Sequence, residues 1–227
     1  MVNASNNLNK VLADIKKVCS NAQDVEIIAV TKYADNKDIK DLLQLNLIKH
    51  IGESRVQDAI TRWNTKELVE YKDKLTKHFI GHLQTNKVGK ALEFFDFIDS
   101  VDSLKLAQII NKKAGELGKT INALVQVKLT KKDTQGGASL EDTQQLIEQV
   151  KKLENINLLG LMAIAPIEEN PENLRPAFKK VKHIFDTNFD SLKDNKKYYL
   201  SLVMSTDLQV AIEEGSNLPR IGNAIFG

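Results

Sequence analysis

Short apolar runs alternate with longer amphipathic stretches along this chain. The run at residues 25–33 has six apolar or β-branched residues among its first seven and contains neither glycine nor proline. Such a run predicts a strand that is buried on both faces, as the strands of parallel sheets are. Seven further runs predict strands at residues 47–53, 77–82, 95–101, 121–129, 158–163, 198–204 and 218–225.

Apolar residues at helical spacing separate these strands. Residues 6–18 carry an apolar residue every three or four positions, which predicts an amphipathic helix lying on a scaffold. Ser103 is a favourable helix cap, and Pro176 suits the first turn of a helix. Other helices are predicted to begin near Asn36 and Pro176 and to cover residues 56–63, 66–75, 85–94, 103–114, 140–153 and 207–214.

The alternation of eight strands with helices indicates an α/β protein. We predict a single (β/α)8 TIM-type barrel that forms one domain over residues 1–227, with an extra N-terminal helix in residues 1–24 packed on the barrel. A doubly wound open sheet would show the same local alternation. The count of eight strands favours the barrel.

Composition excludes several classes of function. The 32 basic and 30 acidic residues leave a net charge of +2, too even to indicate a nucleic-acid or membrane surface. Cys19 is the single cysteine, which excludes an internal disulfide and a cysteine-rich metal site. We find neither a signal-peptide core nor an apolar run of membrane-spanning length, and no metal-ligand spacing among the histidines. A cytoplasmic protein is therefore expected.

Lys32 closes the first predicted strand. A lysine in that position is expected to be partly desolvated, and desolvation favours the neutral amine, a nucleophile that condenses with aldehydes. The alternative interpretation is a lysine whose ammonium group extends into solvent. The residues at the other strand ends decide between the two.

In a barrel of this kind the site forms at the C-terminal ends of the strands. Candidate residues at those ends are Lys32, Glu53, Ser54, His82, Asp99, Met162, Ser201, Ser205, Arg220, Gly222 and Asn223. Among them, His82 is a candidate ligand contact, Glu53 and Asp99 are candidate acids or bases, and Met162 is expected to pack in the barrel near the ligand. His78, earlier on its strand, is expected to point into the barrel or its wall as a satisfied polar residue.

The last two strand ends predict a phosphate site. Phosphates in such barrels commonly bind at the loops after strands seven and eight. Ser205 offers a hydroxyl there, and Gly222 with Asn223 offers a backbone that a ligand can approach closely. A nucleophilic lysine together with a phosphate site fits a phosphorylated aldehyde. Arg220, which keeps its proton, would disfavour the pyridinium form of pyridoxal 5′-phosphate (PLP) if it met the ring nitrogen.

The chain resembles the pyridoxal phosphate homeostasis proteins, single-domain relatives of the barrel half of bacterial alanine racemase. The resemblance runs from about residue 30 to the last residue. It rests on TK at 31–32, GESRVQ at 52–57, HFIGHLQTNK at 78–87, LSLVMSTD at 200–207 and GSNLPRIGNAIFG at 215–227.

This resemblance implies that Lys32 holds PLP as a Schiff base. It also implies that Ser205, Gly222 and Asn223 lie at the phosphate and that Arg220 faces the ring nitrogen. The implied role is binding, buffering or delivering PLP without established turnover, with apo PLP-dependent enzymes as possible partners. The sequence departs from the family at Ser54, Val203 and Asn223, where Asn, Gly and Thr or Ser are usual, and PLP affinity is expected to change accordingly.

Two alternatives use the same lysine. An amino-acid racemase needs a second base opposite the lysine, which the two-domain racemases take from an added β domain. The sequence stops at Gly227, so that domain is not expected, and Tyr33 is expected to face away from Lys32 on an extended strand. A Schiff-base aldolase would also use a lysine and a phosphate site, but would leave Arg220 without a task.

Overall fold

The computed structural model describes residues 3–19, 21–130, 136–166, 168–202 and 207–227. Within these residues lie eight strands, which form one parallel sheet in the order β7-β6-β5-β4-β3-β2-β1-β8. The strands are β1 (Ile28–Val30), β2 (His50–Glu53), β3 (Thr76–Phe79), β4 (Phe97–Val101), β5 (Ile121–Lys128), β6 (Ile156–Ile164), β7 (Tyr199–Ser201) and β8 (Arg220–Ile221).

The sheet curls round until its two outer strands, β7 and β8, meet. The backbone amides of Asn217 and Leu218 both donate to the carbonyl oxygen of Leu200, at 3.0 and 3.3 Å. The side chain of Ser201 donates to the carbonyl oxygen of Leu218 at 2.6 Å. These bonds leave a nearly closed barrel, and the predicted (β/α)8 fold is confirmed.

Helices lie between the strands, as the apolar spacing predicts. They are α1 (Ala4–Val18), α2 (Asn36–Leu43), α3 (Val56–Trp63), α4 (Val88–Phe94), α5 (Leu104–Glu116), α6 (Leu140–Val150), α7 (Arg175–Asn188), α8 (Ser191–Asp194), α9 (Leu208–Glu213) and α10 (Asn223–Phe226). Ser103 caps α5 through its side chain, and Pro176 stands in the first turn of α7. In the described residues, no helix is both long and apolar enough to cross a membrane.

Helix α1 is the predicted extra element. Its apolar stripe, Leu8, Val11 and Ile15, is buried against the rest of the chain, where α1 meets α2, α9 and α10. The side chain of Asn7 donates to the carbonyl oxygen of Ile225 at 3.0 Å. Helix α1 therefore lies over the end of the chain and covers the barrel beside the junction of β8 and β1.

The barrel wall separates two apolar cores. The larger core fills the space between the strands and the helices. The smaller core fills the inside of the barrel and consists of Ile28, Phe97, Leu124, Leu159, Met162 and Leu218. Because the strands are buried on both faces, they read in sequence as continuous apolar runs.

Two local predictions are wrong, and one short helix is missed. Residues 66–75 form turns and a short 3-10 helix at Lys72–Lys74 instead of an α-helix. The last predicted strand ends at Ile221, after which Gly222 precedes α10, so residues 223–225 are helical. Helix α8 was not predicted at all. A short apolar run does not distinguish a strand from a helix, and the pairing of β8 with β1 decides where this strand ends.

Candidate functional site

Lys32 lies in a turn two residues beyond the end of β1. Thr31 is buried, whereas Lys32 and Tyr33 are exposed. The expectation that the strand desolvates Lys32 is wrong, because the strand ends at Val30. The expectation that Tyr33 faces away is also wrong, since the Nζ atom of Lys32 lies 4.8 Å from the centroid of the Tyr33 ring. Strand alternation does not apply in a turn, and this distance allows a cation–π contact.

Glu53, at the end of β2, anchors the start of this turn. Its Oε1 atom accepts hydrogen bonds from the Thr31 hydroxyl at 2.7 Å and from the Trp63 indole at 3.2 Å. Burial raises the pKa of the Glu53 carboxyl, and the bond from Thr31 opposes that shift. Glu53 is a candidate acid or base on the sequence, but its contacts are those of a group that ties β1 to β2 and α3.

Arg62, near the end of α3, holds the turn from outside. It donates to the backbone carbonyl oxygens of Thr31 at 2.9 Å, Ala34 at 2.6 Å and Lys32 at 3.3 Å. Its Nε atom lies 3.9 Å from Oε1 of Glu53. Sequence reasoning missed Arg62, because 30 positions separate it from Lys32 and no local pattern marks the contact.

Arg220 begins β8 and is almost fully buried inside the barrel. It donates to the carbonyl oxygen of Ser201 at 2.9 Å, to the Ser201 hydroxyl at 2.7 Å and to the carbonyl oxygen of Ala163 at 2.9 Å. Burial lowers the pKa of Arg220 to about 10, and the nearby charge of Asp99 opposes the shift. Arg220 therefore stays a cation at neutral pH.

Met162 and Ser201 lie beside this arginine. Met162 on β6 is in register with Ser201 on β7, and both are buried. Met162 packs in the interior core, as expected. The structure thus brings together three of the predicted site residues, Met162, Ser201 and Arg220, on neighbouring strands.

The end of β8 adjoins the strand that carries Lys32. Ile28 pairs with Arg220 and Ala29 with Ile221, which sets Gly222 beside Val30. A Cβ atom on Gly222 would lie 3.4 Å from the carbonyl oxygen of Val30, so the two backbones approach closely. Asn223 is exposed at the start of α10. Ser205 and Val203 lie outside the described residues.

Ser54 and His82 stand on the other side of the Lys32 turn. Ser54 follows β2 and is half-buried, and it packs so tightly on Gly81 that a Cβ atom there would lie 2.8 Å from Cα of Ser54. His82 is exposed, with its Nδ1 atom 3.6 Å from Oδ2 of Asp102. His82 therefore faces the loop after β4 and is not drawn into the group around Arg220.

A line of buried titratable groups lies inside the barrel. His78 stacks on Phe97 with ring centroids 4.3 Å apart, and it contacts His50 on one side and Asp99 on the other. This agrees with the expectation for His78 and assigns Asp99 as its partner. Burial lowers the pKa of His50 to about 4, and the neighbouring His78 adds to the shift. The sequence shows these residues on three separate strands but not their contact.

Among the described residues, no cluster of three or more His, Cys, Asp or Glu side chains is arranged to hold a metal ion. The groups that the geometry offers to a ligand are an exposed amine, a buried guanidinium and the backbone after β8. This donor set suits an anionic organic molecule that carries an electrophilic carbon.

Comparisons with known proteins agree with this geometry. The family model for "Alanine racemase, N-terminal domain" matches residues 6–227. The pyridoxal phosphate homeostasis protein of Aquifex aeolicus (strain VF5) is 34% identical over 235 residues, covering 100% of this chain and 98% of that protein. The chain therefore belongs to the alanine racemase N-terminal domain family and, within it, to the pyridoxal phosphate homeostasis proteins.

Two solved structures are similar over nearly the whole chain. PipY of Synechococcus elongatus PCC7942, with PLP bound, is 31% identical with a TM-score of 0.79, covering 96% of this chain and 100% of PipY. An unknown protein from Bifidobacterium adolescentis is 27% identical with a TM-score of 0.88, covering 99% of this chain and 94% of that one.

Proposed function

We propose that this protein binds PLP through a Schiff base on Lys32 and serves in PLP homeostasis. The observation that carries the proposal is the pairing of β1 with β8. It sets the turn that presents the Lys32 amine next to the strand that carries Arg220 and Gly222. Membership of the homeostasis protein family and the PLP-bound PipY structure support the choice of ligand.

The residues present fit this cofactor. PLP supplies an aldehyde that condenses reversibly with an amine, and Lys32 offers an exposed amine in an anchored turn. The proposed phosphate contacts are Gly222, whose lack of a side chain leaves the backbone after β8 accessible, together with Asn223 and Ser205. Ser54, Met162 and Ser201 complete the proposed set around the ring, whereas His82, which faces Asp102, lies outside it.

Arg220 is the residue that we assign to the ring nitrogen. Its pKa of about 10 keeps it protonated at neutral pH, so it donates a hydrogen bond and disfavours a proton on that nitrogen. Without the pyridinium form the cofactor is a weaker electron sink.

Borohydride reduction tests the covalent part of the proposal. The purified protein with PLP is expected to show a visible absorption band, and reduction is expected to fix the added mass on the peptide that contains Lys32. Lys32→Ala should lose both signals, whereas Lys37→Ala, which removes an exposed lysine from α2, should keep both. A full band and a fixed mass in Lys32→Ala would contradict the proposal. A colourless protein that borohydride modifies only with a sugar phosphate would favour an aldolase.

Delivery to apo PLP-dependent enzymes is the proposed use of the bound cofactor. The PLP-loaded protein is first freed of unbound cofactor and then mixed with an apoenzyme. It should activate the apoenzyme faster than does an equal concentration of PLP that is released slowly by dialysis into the same buffer. Equal rates would show release into solution without delivery.

One observation favours a racemase as the second candidate: the Tyr33 ring lies next to the Lys32 ammonium. Two-sided proton transfer, however, needs a base across the substrate from the lysine, and a tyrosine in contact with that lysine is on its own side. We therefore expect no conversion of L-alanine to D-alanine by the PLP-loaded protein. Conversion that is lost in Lys32→Ala would reverse the choice.

A further inference from the structure

We propose that Arg62 is a positioning residue for Lys32, acting by holding the backbone of the turn that presents the amine. This inference rests on the proposed function, in which Lys32 takes the cofactor. Arg62 does not touch the Lys32 side chain in the structure; all its contacts with the turn are to backbone oxygens.

The contacts bracket Lys32 on both sides. One guanidinium nitrogen of Arg62 donates to the carbonyl oxygens of Thr31 and Ala34, and the other donates to that of Lys32 itself. A turn has few bonds of its own, and here the amide of Ala34 donates to Thr31 at 3.0 Å. One planar side chain therefore ties together the residues before, at and two after the lysine.

Arg62 is itself held in place. It lies on α3 next to Trp63, which is fully buried, and its side chain is 20% exposed. The buried carboxylate of Glu53 lies 3.9 Å from the Nε atom of Arg62 and also accepts a hydrogen bond from the Thr31 hydroxyl. The turn is thus fixed in two ways: Arg62 on α3 holds its backbone, and Glu53 on β2 holds the Thr31 side chain.

The charge and the shape of arginine both matter for this task. The guanidinium has five N–H donors in a rigid fork and contacts the turn through two nitrogens, whereas a lysine ammonium donates from a single nitrogen and does not reproduce that fork. Methionine would fill similar space with no donor. The proposal therefore predicts a graded series. The order of the turn and its rate of reaction with PLP should be highest in the wild type, lower in Arg62→Lys and lowest in Arg62→Met.

The first experiment needs no cofactor. Amide hydrogen exchange of the peptide containing residues 31–36, measured by mass spectrometry on the folded protein, should speed up by at least about tenfold in Arg62→Met, because hydrogen bonds to a charged group are lost. Arg62→Lys should give a smaller increase. Lys66→Met removes an exposed positive charge just beyond α3 and should leave this peptide unchanged.

The second experiment adds PLP to the same variants well below their melting temperatures. An ordered turn raises the fraction of molecules ready to react, so Arg62→Met should slow the appearance of the visible band by about tenfold, with Lys32 still the residue fixed by borohydride. Arg62→Lys should lie between, and Lys66→Met should match the wild type.

The outcomes separate the two proposals. If Arg62→Met melts at a lower temperature but exchanges and reacts like the wild type, Arg62 is only structural and the positioning role is overturned. If Lys32→Ala keeps the band, the proposed function fails, whatever Arg62 does. Faster amide exchange of residues 31–36 and a slower reaction with PLP in Arg62→Met, with loss of the band only in Lys32→Ala, support both.

Discussion

The Nδ1 atom of His78 lies 3.0 Å from each carboxylate oxygen of Asp99, and neither side chain has any exposed surface. On its other side, the Nε2 atom of His78 lies 3.0 Å from Nδ1 of His50, whose Nε2 atom lies 3.4 Å from the carboxylate of Glu26. Four titratable residues thus form a continuous line, from Glu26, two residues before β1, into the barrel. Burial disfavours the charged form of such groups, so the stability that depends on this line should respond to pH.

The first prediction concerns acid. The pKa of His50 is lowered to about 4 in the folded protein, against 6.5 ordinarily, because burial and His78 disfavour its charged form. As pH falls below about 6.5, His50 binds a proton in the unfolded chain but not in the folded protein, so the free energy of unfolding falls until about pH 4. The pKa difference corresponds to at most about 3 kcal/mol.

Urea unfolding at pH 7.5, 5.5 and 4.5 measures this loss. The pKa of Glu26 is lowered, so Glu26 also contributes to the loss of unfolding free energy in acid. The contribution of His50 is therefore taken as the difference between the wild type and His50→Gln. His50→Gln should flatten the dependence, whereas His183→Gln, on an exposed position of α7, should not. Parallel curves for all three proteins would contradict the assignment.

The second prediction compares two buried serines. The Ser201 hydroxyl donates to Leu218 and accepts from Arg220, so Ser201→Ala leaves two buried groups short of a partner. We expect a loss of about 1–3 kcal/mol in the free energy of unfolding. The Ser100 hydroxyl is equally buried but has no hydrogen-bond partner among the described residues. Ser100→Ala should therefore be neutral or stabilising, and equal losses in urea unfolding would contradict this.

The third prediction compares two glycines. A side chain on Gly81 would overlap the backbone of Ser54, whereas nothing lies within 4 Å of a Cβ atom on Gly89 in α4. Gly81→Ala should cost about 1–3 kcal/mol because neighbouring backbone must move. Gly89→Ala should raise stability by up to about 1 kcal/mol, since alanine is the better helix former. Thermal melts of both variants check the contrast; a stable Gly81→Ala would refute the close approach.

The fourth prediction concerns the closure of the barrel. The side chain of Asn217 accepts from the amide of Leu200 and donates to the carbonyl oxygen of Tyr198, both at 2.8 Å. Asn217→Ala should cost about 1–3 kcal/mol and expose the Leu200 amide to hydrogen exchange. Asn217→Asp keeps the acceptor and should protect that amide. Asn86→Ala, at an exposed position, is the control; unchanged exchange in Asn217→Ala would contradict the role in closure.

Much of the fold was predictable because local patterns of apolar and polar residues specify its strands and helices. Buried parallel strands need continuous apolar runs, as at residues 158–164 of β6, and helices on the outside need apolar residues at helical spacing, as in α5 and α6. The errors fall where local preference is weak. Residues 66–75 contain enough apolar positions for a helix but form turns, and residues 223–225 continue as a helix after β8 because this strand is only two residues long.

The sequence alone determined the barrel, its extra helix and the residue types in and just after the strands, Lys32 and Arg220 among them, because alternating strands and helices give a parallel barrel in which all the strands end at one face. Only the tertiary structure decided that Lys32 is exposed in a turn beside Tyr33, that Arg62 holds this turn, and that His50, His78 and Asp99 touch. The physical reason is distance along the chain. Contacts between residues 20 to 30 positions apart depend on register and on where each strand ends, which local patterns do not specify.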